Sequence, residues 1–152
     1  MHAEAASSRP GGGFTTLCAA AAMGVPTAAA SPLGTGPNSF QLRQQLVEAG
    51  VEVLTPELVG DIGVVIQLIV EDGTMRSVVT AGVEAEPSRA TLDCIELREG
   101  DLIHVAASDM TNAHAAAELS EWAAALPPFV TLVVSVSPAV AQVPVEAWET
   151  IF

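Results

Sequence analysis

Residues 62–80 constrain this chain more than any other stretch. Ile62-Gly63-Val64-Val65-Ile66-Gln67-Leu68-Ile69-Val70 is β-branched almost throughout, Glu71-Asp72-Gly73-Thr74 follows, and Met75-Arg76-Ser77-Val78-Val79-Thr80 comes back. Asp-Gly is a favoured hairpin turn and β-branched residues suit strands, so the stretch predicts an antiparallel hairpin. The flanks follow a different grammar. Before the hairpin come a helix over Phe14 to Met23 and a short buried strand over Val25 to Leu33. A second helix, with Phe40, Leu42, Leu46 and Val47 at helical spacing, ends at Gly50 and leads into a strand over Val51 to Leu54. After the hairpin come a short helix within Pro87 to Leu97, a turn at Glu99-Gly100-Asp101 and a buried strand over Leu102 to Ala107. A helix over Asn112 to Ala125 puts Leu119, Trp122 and Leu126 on one face and is stopped by Pro127-Pro128. A buried strand over Phe129 to Val136 and a helix from Pro144 to Phe152 complete the series. Helix–strand alternation predicts an α/β fold with a parallel sheet. A hairpin inserted into such a series is an excursion from the sheet, suited to a lid over a site or to a dimer surface.

The second feature is Gly11-Gly12-Gly13, placed before Thr15-Thr16-Leu17-Cys18 and a run of alanines. Alanine is the best helix former, and Gly24 is placed to end the helix. A glycine turn feeding a helix start offers free N–H groups and the positive end of a dipole to the hydroxyls or anionic groups of a small ligand. The competing expectation is that the glycines only give clearance for a helix packed closely under a sheet.

Charge narrows the partners. With 5 Lys and Arg against 18 Asp and Glu, the net charge is −13, which disfavours nucleic acid and anionic membranes. Cys18 and Cys94 stand in apolar settings and read as small core residues in a reducing compartment. No run is apolar enough for a membrane span. Arg9, the apolar stretch after it and Ala28-Ala29-Ala30 mimic a secretory leader, but the glycine triplet, Glu4 and Pro26 interrupt the pattern.

Gly34-Thr35-Gly36-Pro37-Asn38-Ser39 lies between a strand and a helix, where a dinucleotide fingerprint would sit, with Ser39 in place of the third glycine. A plain strand-to-helix turn is the alternative. Ser108-Asp109 closes a strand at its C-terminal end, where open α/β sheets place ligand contacts. Asp61, Asp72, Asp101 and Asp109 read as solvated turn residues. His2, His104 and His114 have no metal-ligand spacing, and no metal site is expected.

Taken in order, these segments resemble the PfkB (ribokinase-like) carbohydrate kinase family. Pro10-Gly11-Gly12-Gly13-Phe14 with its Ala-rich helix resembles the family's glycine signature. Leu33-Gly34 and the helix ending Glu48-Ala49-Gly50-Val51 resemble the next unit. Asp61-Ile62-Gly63, the Asp72-Gly73 hairpin and Gly82-Val83-Glu84-Ala85 resemble its lid, and Gly100-Asp101-Leu102-Ile103-His104 the strand after it. The resemblance implies a ribokinase-like parallel sheet flanked by helices with a small antiparallel β lid at about residues 60–82. It also implies phosphoryl transfer from ATP, with Mg²⁺, to a sugar or nucleoside hydroxyl in the cytoplasm. Gly11, Gly12, Gly13, Thr15 and Ser108 are the expected substrate contacts, and Gly63 and Gly82 the lid residues.

The chain departs from the family in three places. The family's first strand, with its substrate-binding aspartate, should precede the glycine signature. The family usually has Asn where Thr15 stands, and a hydroxyl cannot repeat both amide contacts. The Gly-Ala-Gly-Asp motif that carries the family's catalytic aspartate does not occur. The expectation is therefore a partial ribokinase-like domain over residues 1–152: the substrate-and-lid part, incomplete in its C-terminal half, without catalytic residues of its own and inactive alone. The alternative is a non-catalytic binding or dimerisation module, with a homodimer through the hairpin.

Overall fold

The computed structural model describes residues 5–152; His2 and Glu4 lie outside the described residues. Helix α1 (Gly12–Ala22) leads into strand β1 (Thr27–Ala29), and the short strand β2 (Leu33–Gly34) precedes α2 (Pro37–Glu48). Strands β3 (Val51–Val53) and β4 (Glu57–Leu58) follow, then the hairpin strands β5 (Val64–Ile69) and β6 (Met75–Thr80). The rest is α3 (Arg89–Leu92), β7 (Leu102–Ala106), α4 (Ala113–Ala124), β8 (Thr131–Ser135) and α5 (Val145–Ile151), with single 3-10 turns at Val83–Ala85, Ala107–Met110 and Pro138–Gln142.

Local chemistry explains the boundaries. Gly24 and Gly50 follow α1 and α2 with φ of +81° and +79°, the left-handed conformation that ends a helix and that glycine adopts without a Cβ penalty. Pro37 opens α2, where its missing N–H costs no helix bond. Asn112 caps α4, its Oδ1 accepting from the N–H groups of His114 and Ala115.

The architecture is mixed α/β, but the strands do not join into the single parallel sheet expected from the sequence. They form parallel ladders β1–β3, β2–β4 and β7–β8 and the antiparallel ladder β5–β6, each two-stranded. The buried strand expected over Val25 to Leu33 is split by Ala30-Ser31-Pro32, so β1 pairs with β3 while β2 pairs with β4. The apolar interior is divided in the same way. Ala29, Leu33, Leu46 and Val51 form one cluster under α1 and α2. Val105, Met110, Ala116, Val143 and Ala147 form another between β7–β8 and the helices α4 and α5. With no strand bridging β1–β3 to β7–β8 among the described residues, the two clusters stay separate.

Burial also departs from the sequence pattern. On α2, Leu46 is buried while Phe40 and Val47 are 59% and 63% exposed, so the apolar stripe is narrower than its spacing suggests. The strands β7 and β8 are half-buried and not enclosed, with Ile103, Val105, Leu132 and Val134 turned to the core and Leu102 and Val133 outward. Cys94 is exposed and Cys18 half-buried, which corrects their reading as core residues. The Cys94 thiol reaches the Ala90 carbonyl one helical turn back.

Candidate functional site

The start of α1 is open. Gly11 is its N-cap, with φ −78°, and Gly12 and Gly13 lie in its first turn. None of the three has a positive φ, and a Cβ at any of them would meet no atom of the described residues within 4 Å. The clearance explanation therefore fails: neither backbone conformation nor internal packing requires glycine here. The Thr15 hydroxyl is 3.4 Å from the Gly11 carbonyl and the Thr16 hydroxyl 3.2 Å from that of Gly12, each donating back along the helix. α1 itself has no fully buried residue; Phe14, Leu17 and Ala21 rest on the first cluster and leave its glycine end bare.

The start of α2 is, by contrast, filled. Asp61 places its carboxylate there and accepts from Ser39 N–H and Ser39 Oγ–H at 2.7 Å, from Asn38 N–H at 3.0 Å and from Asn38 Nδ2–H at 2.9 Å. Its own neighbour Ile62 N–H adds a bond at 2.9 Å, and the fully buried Ser39 Oγ accepts from Ile62 N–H at 3.1 Å. Desolvation at the helix start pushes the Asp61 pKa up, but the bonds from Ser39, Asn38 and Ile62 outweigh it, and it falls from about 3.8 to about 2. A carboxylate thus occupies the place where a ligand's phosphate would meet the helix N–H groups. Gly34 and Gly36 are glycines because the chain passes them closely. A Cβ at Gly34 would strike the Gly60 carbonyl, and one at Gly36 the Asp61 side chain. The dinucleotide reading of Gly34 to Ser39 is overturned, and so is the reading of Asp61 as a solvated turn residue.

Asp61 also stands at the root of the hairpin. Its carbonyl accepts from Val83 N–H at 3.0 Å. Gly63 and Gly82 meet across the root, where a Cβ on either would collide with backbone of the other strand. The Glu84 carboxylate spans them, with Oε2 accepting from Gly63 N–H at 2.7 Å and Oε1 from Gly82 N–H at 3.0 Å. Thr80 adds a third tie, its hydroxyl accepting from Val64 N–H at 3.0 Å. The hairpin is therefore held at its root by two carboxylates and is otherwise bare: every residue of β5 and β6 is exposed.

Ser108 lies elsewhere, on the 3-10 turn after β7, exposed and with its hydroxyl directed at Asp109 Oδ1. The Asp109 carboxyl folds back to Ala106 N–H at 3.3 Å. Desolvation there raises its pKa, opposed by the bonds from Ala106 and Ser108 and by nearby His104. No hydrogen bond or shared core joins Ser108 to the start of α1; one belongs to the second cluster's turn and the other to the first. Asp72 and Asp101 are local turn residues, accepting from Thr74 N–H and Arg98 N–H. Among the described residues, no group of three His, Cys, Asp or Glu is placed to hold a metal ion, and no helix is long and apolar enough to cross a membrane.

Asp61, Ser39 and Glu84 are the residues that sequence reasoning missed. Asp61 serves a helix start 22 residues earlier in the chain, at Ser39. The only trace in sequence is an acidic residue and a Gly-Val-Glu on either side of an apolar hairpin.

No family model matches the chain, and no curated protein matches it by sequence. Its fold is similar to that of a fructokinase from Vibrio cholerae O395, solved in a form bound to fructose, ADP and calcium ion. The TM-score is 0.68 at 18% identity, over 93% of this chain and 48% of the fructokinase. The chain thus spans about half the length of that sugar kinase and shares a sugar-kinase-like fold with it over that half.

Proposed function

We propose that this chain is the sugar-binding and lid part of a cytoplasmic, ATP-dependent carbohydrate kinase of the PfkB type. The observation that carries the reading is the bare glycine start of α1. Among the described residues, three consecutive glycines there have no steric or conformational reason, and a ligand approaching the backbone supplies one. The likeness of fold to a fructokinase supports a sugar as that ligand. Gly11, Gly12, Gly13 and Thr15 present N–H groups and a hydroxyl to it. Ser108 is the outlying member of the set, and the hairpin, rooted at Gly63 and Gly82, shields the bound sugar.

ATP and Mg²⁺ are assigned to the complete kinase and not to this chain's own residues. The α2 start is filled by Asp61, α4 is capped by Asn112, and among the described residues no group of three His, Cys, Asp or Glu stands together as a ligand set. Phosphoryl transfer depends on positioning and neutralising the phosphates. Those parts would belong to a complete kinase, and the chain alone is inactive.

Calorimetric titration of the purified chain with a panel of hexoses, pentoses and nucleosides tests the reading, run beside an ATP-dependent phosphorylation assay on the same panel. Binding of a sugar without turnover is the expected result. Turnover would refute the inactivity of the chain alone. Neither binding nor turnover would favour the second reading, a non-catalytic homodimer assembled through the hairpin, which the exposure of all of β5 and β6 supports.

A further inference from the structure

Helix α4 runs away from Ser108, about 18 Å over its 12 residues. At its far end it meets the segment that follows α3, and the two leave an open cavity of about 260 Å³ between them. The wall is largely apolar: Leu92, Ile95 and Leu97 come from the α3 side, Trp122, Leu126 and Pro127 from the α4 side. Leu92 and Trp122 are buried, so the wall includes side chains packed into the chain. Asp93 brings the one charge among the lining residues, and the small, exposed Ala125 leaves the space open. None of these residues belongs to α1 or to the hairpin.

We propose that this cavity is a second ligand site, separate from the start of α1, and that it binds a small aromatic ammonium ion. Size sets the ring. A cavity of about 150 Å³ holds a benzene molecule, so this one has room for a ring and a short arm. The Trp122 indole in the wall favours an aromatic partner. Charge sets the arm. Asp93 lies 3.5 Å from Arg89, which also pairs with Glu121 at 3.4 Å, while Glu118 accepts from the Arg89 backbone N–H. Three carboxylates thus meet one guanidinium. The Asp93 side chain is 54% exposed, and such a surface pair is worth little, so its charge stays available to a ligand. The negative end of the α4 dipole lies at the same place, and the last turn of α4 has no basic residue to answer it. A net charge of −13 draws cations to the chain as a whole.

The chain has 2 tryptophans, so its indole N–H signals in a nitrogen–proton correlation spectrum report the site directly, with W148F assigning them. The probe is 2-phenylethylammonium, and uncharged 2-phenylethanol is its control. The expected result is a saturable shift of the Trp122 signal with a Kd of about 1 mM or below, while the Trp148 signal stays in place. A125F should fill the cavity and weaken binding at least about tenfold, and A125M should do so to a smaller degree. Ala125 is exposed, so both variants should keep the fold, as circular dichroism would show. D93N should weaken binding of the amine about fivefold and leave that of the alcohol unchanged. No saturable shift at Trp122, or the same affinity in both Ala125 variants, would overturn the site. Equal affinity for amine and alcohol, or an amine unaffected by D93N, would overturn the choice of a cation. Sugar binding is measured separately, so its failure would not be mistaken for either.

Discussion

Gly13→Ala should make the chain more stable and worse at binding sugar. Gly13 lies in the first turn of α1, has no positive φ, and would carry a Cβ with no atom within 4 Å. A helical glycine costs roughly 0.5–1 kcal/mol relative to alanine, chiefly through the entropy of the unfolded chain. With no clash to offset it, the substitution should return that amount, or about 1–4 °C in Tm for a chain of this length. Gly36→Ala is the internal control with the opposite sign. Its Cβ would overlap the Asp61 side chain, and forcing an extra methyl into a packed place costs about 1–3 kcal/mol. The assay is thermal unfolding with and without the sugar found by calorimetry. A ligand at a hundred times its Kd stabilises the folded state by about 2.7 kcal/mol. Wild type should show that shift, and Gly13→Ala should lose most of it while melting higher on its own. A lower melting point for unliganded Gly13→Ala would refute the argument from open space. A higher one with the ligand shift intact would refute the placement of the sugar against these glycines.

Acid should release the start of α2. The Asp61 pKa is lowered in the folded chain, so its stabilising contribution is fully present above about 3.8 and is lost as pH falls toward about 2. In Asp61→Asn this part of the acid transition should disappear, read as a flatter dependence of the unfolding midpoint on pH between about 4 and 2; an unchanged slope would show that other carboxylates carry it. In the second cluster, Met110 is fully buried, and Met110→Ala should cost about 2–5 kcal/mol in urea unfolding, whereas a loss below about 1 kcal/mol would mean that this core is loosely packed.

The parts of the fold legible in the sequence are those set within a few residues. Asp72-Gly73 makes its turn because Gly73 takes φ +82° and Thr74 N–H donates to the Asp72 carboxylate, a contact two residues away. Gly24, Gly50 and Asn112 end or begin helices for equally local reasons. The glycines of the hairpin root were legible as glycines, but their partner was not. Glu84 follows Gly82 closely, yet it matters because it also reaches Gly63 across the whole hairpin, 21 residues away. Asp61 was misread for the same reason: an aspartate before an apolar strand looks solvated until the fold sets Ser39 against it. Burial was misread where two elements compete for one surface, as at Phe40 and Val47, since spacing defines a helical stripe but not how much of it a neighbour covers.

The two carboxylates also explain why so bare a hairpin has a defined root. A two-stranded ribbon is marginal by itself in water, and β5–β6 buries none of its residues to compensate. What fixes it is charge-assisted hydrogen bonding at its base, which is stronger than the neutral kind. Asp61 ties the incoming strand to α2, and Glu84 ties the incoming and outgoing strands to each other. Glu84 acts on the Gly63 and Gly82 N–H groups, where a side chain would not fit, and Asp61 on those of Asn38, Ser39 and Ile62. The apolar residues of the hairpin are therefore not needed to hold it in place within this chain. Their number and exposure make the hairpin an apolar surface that the described residues of this chain leave uncovered.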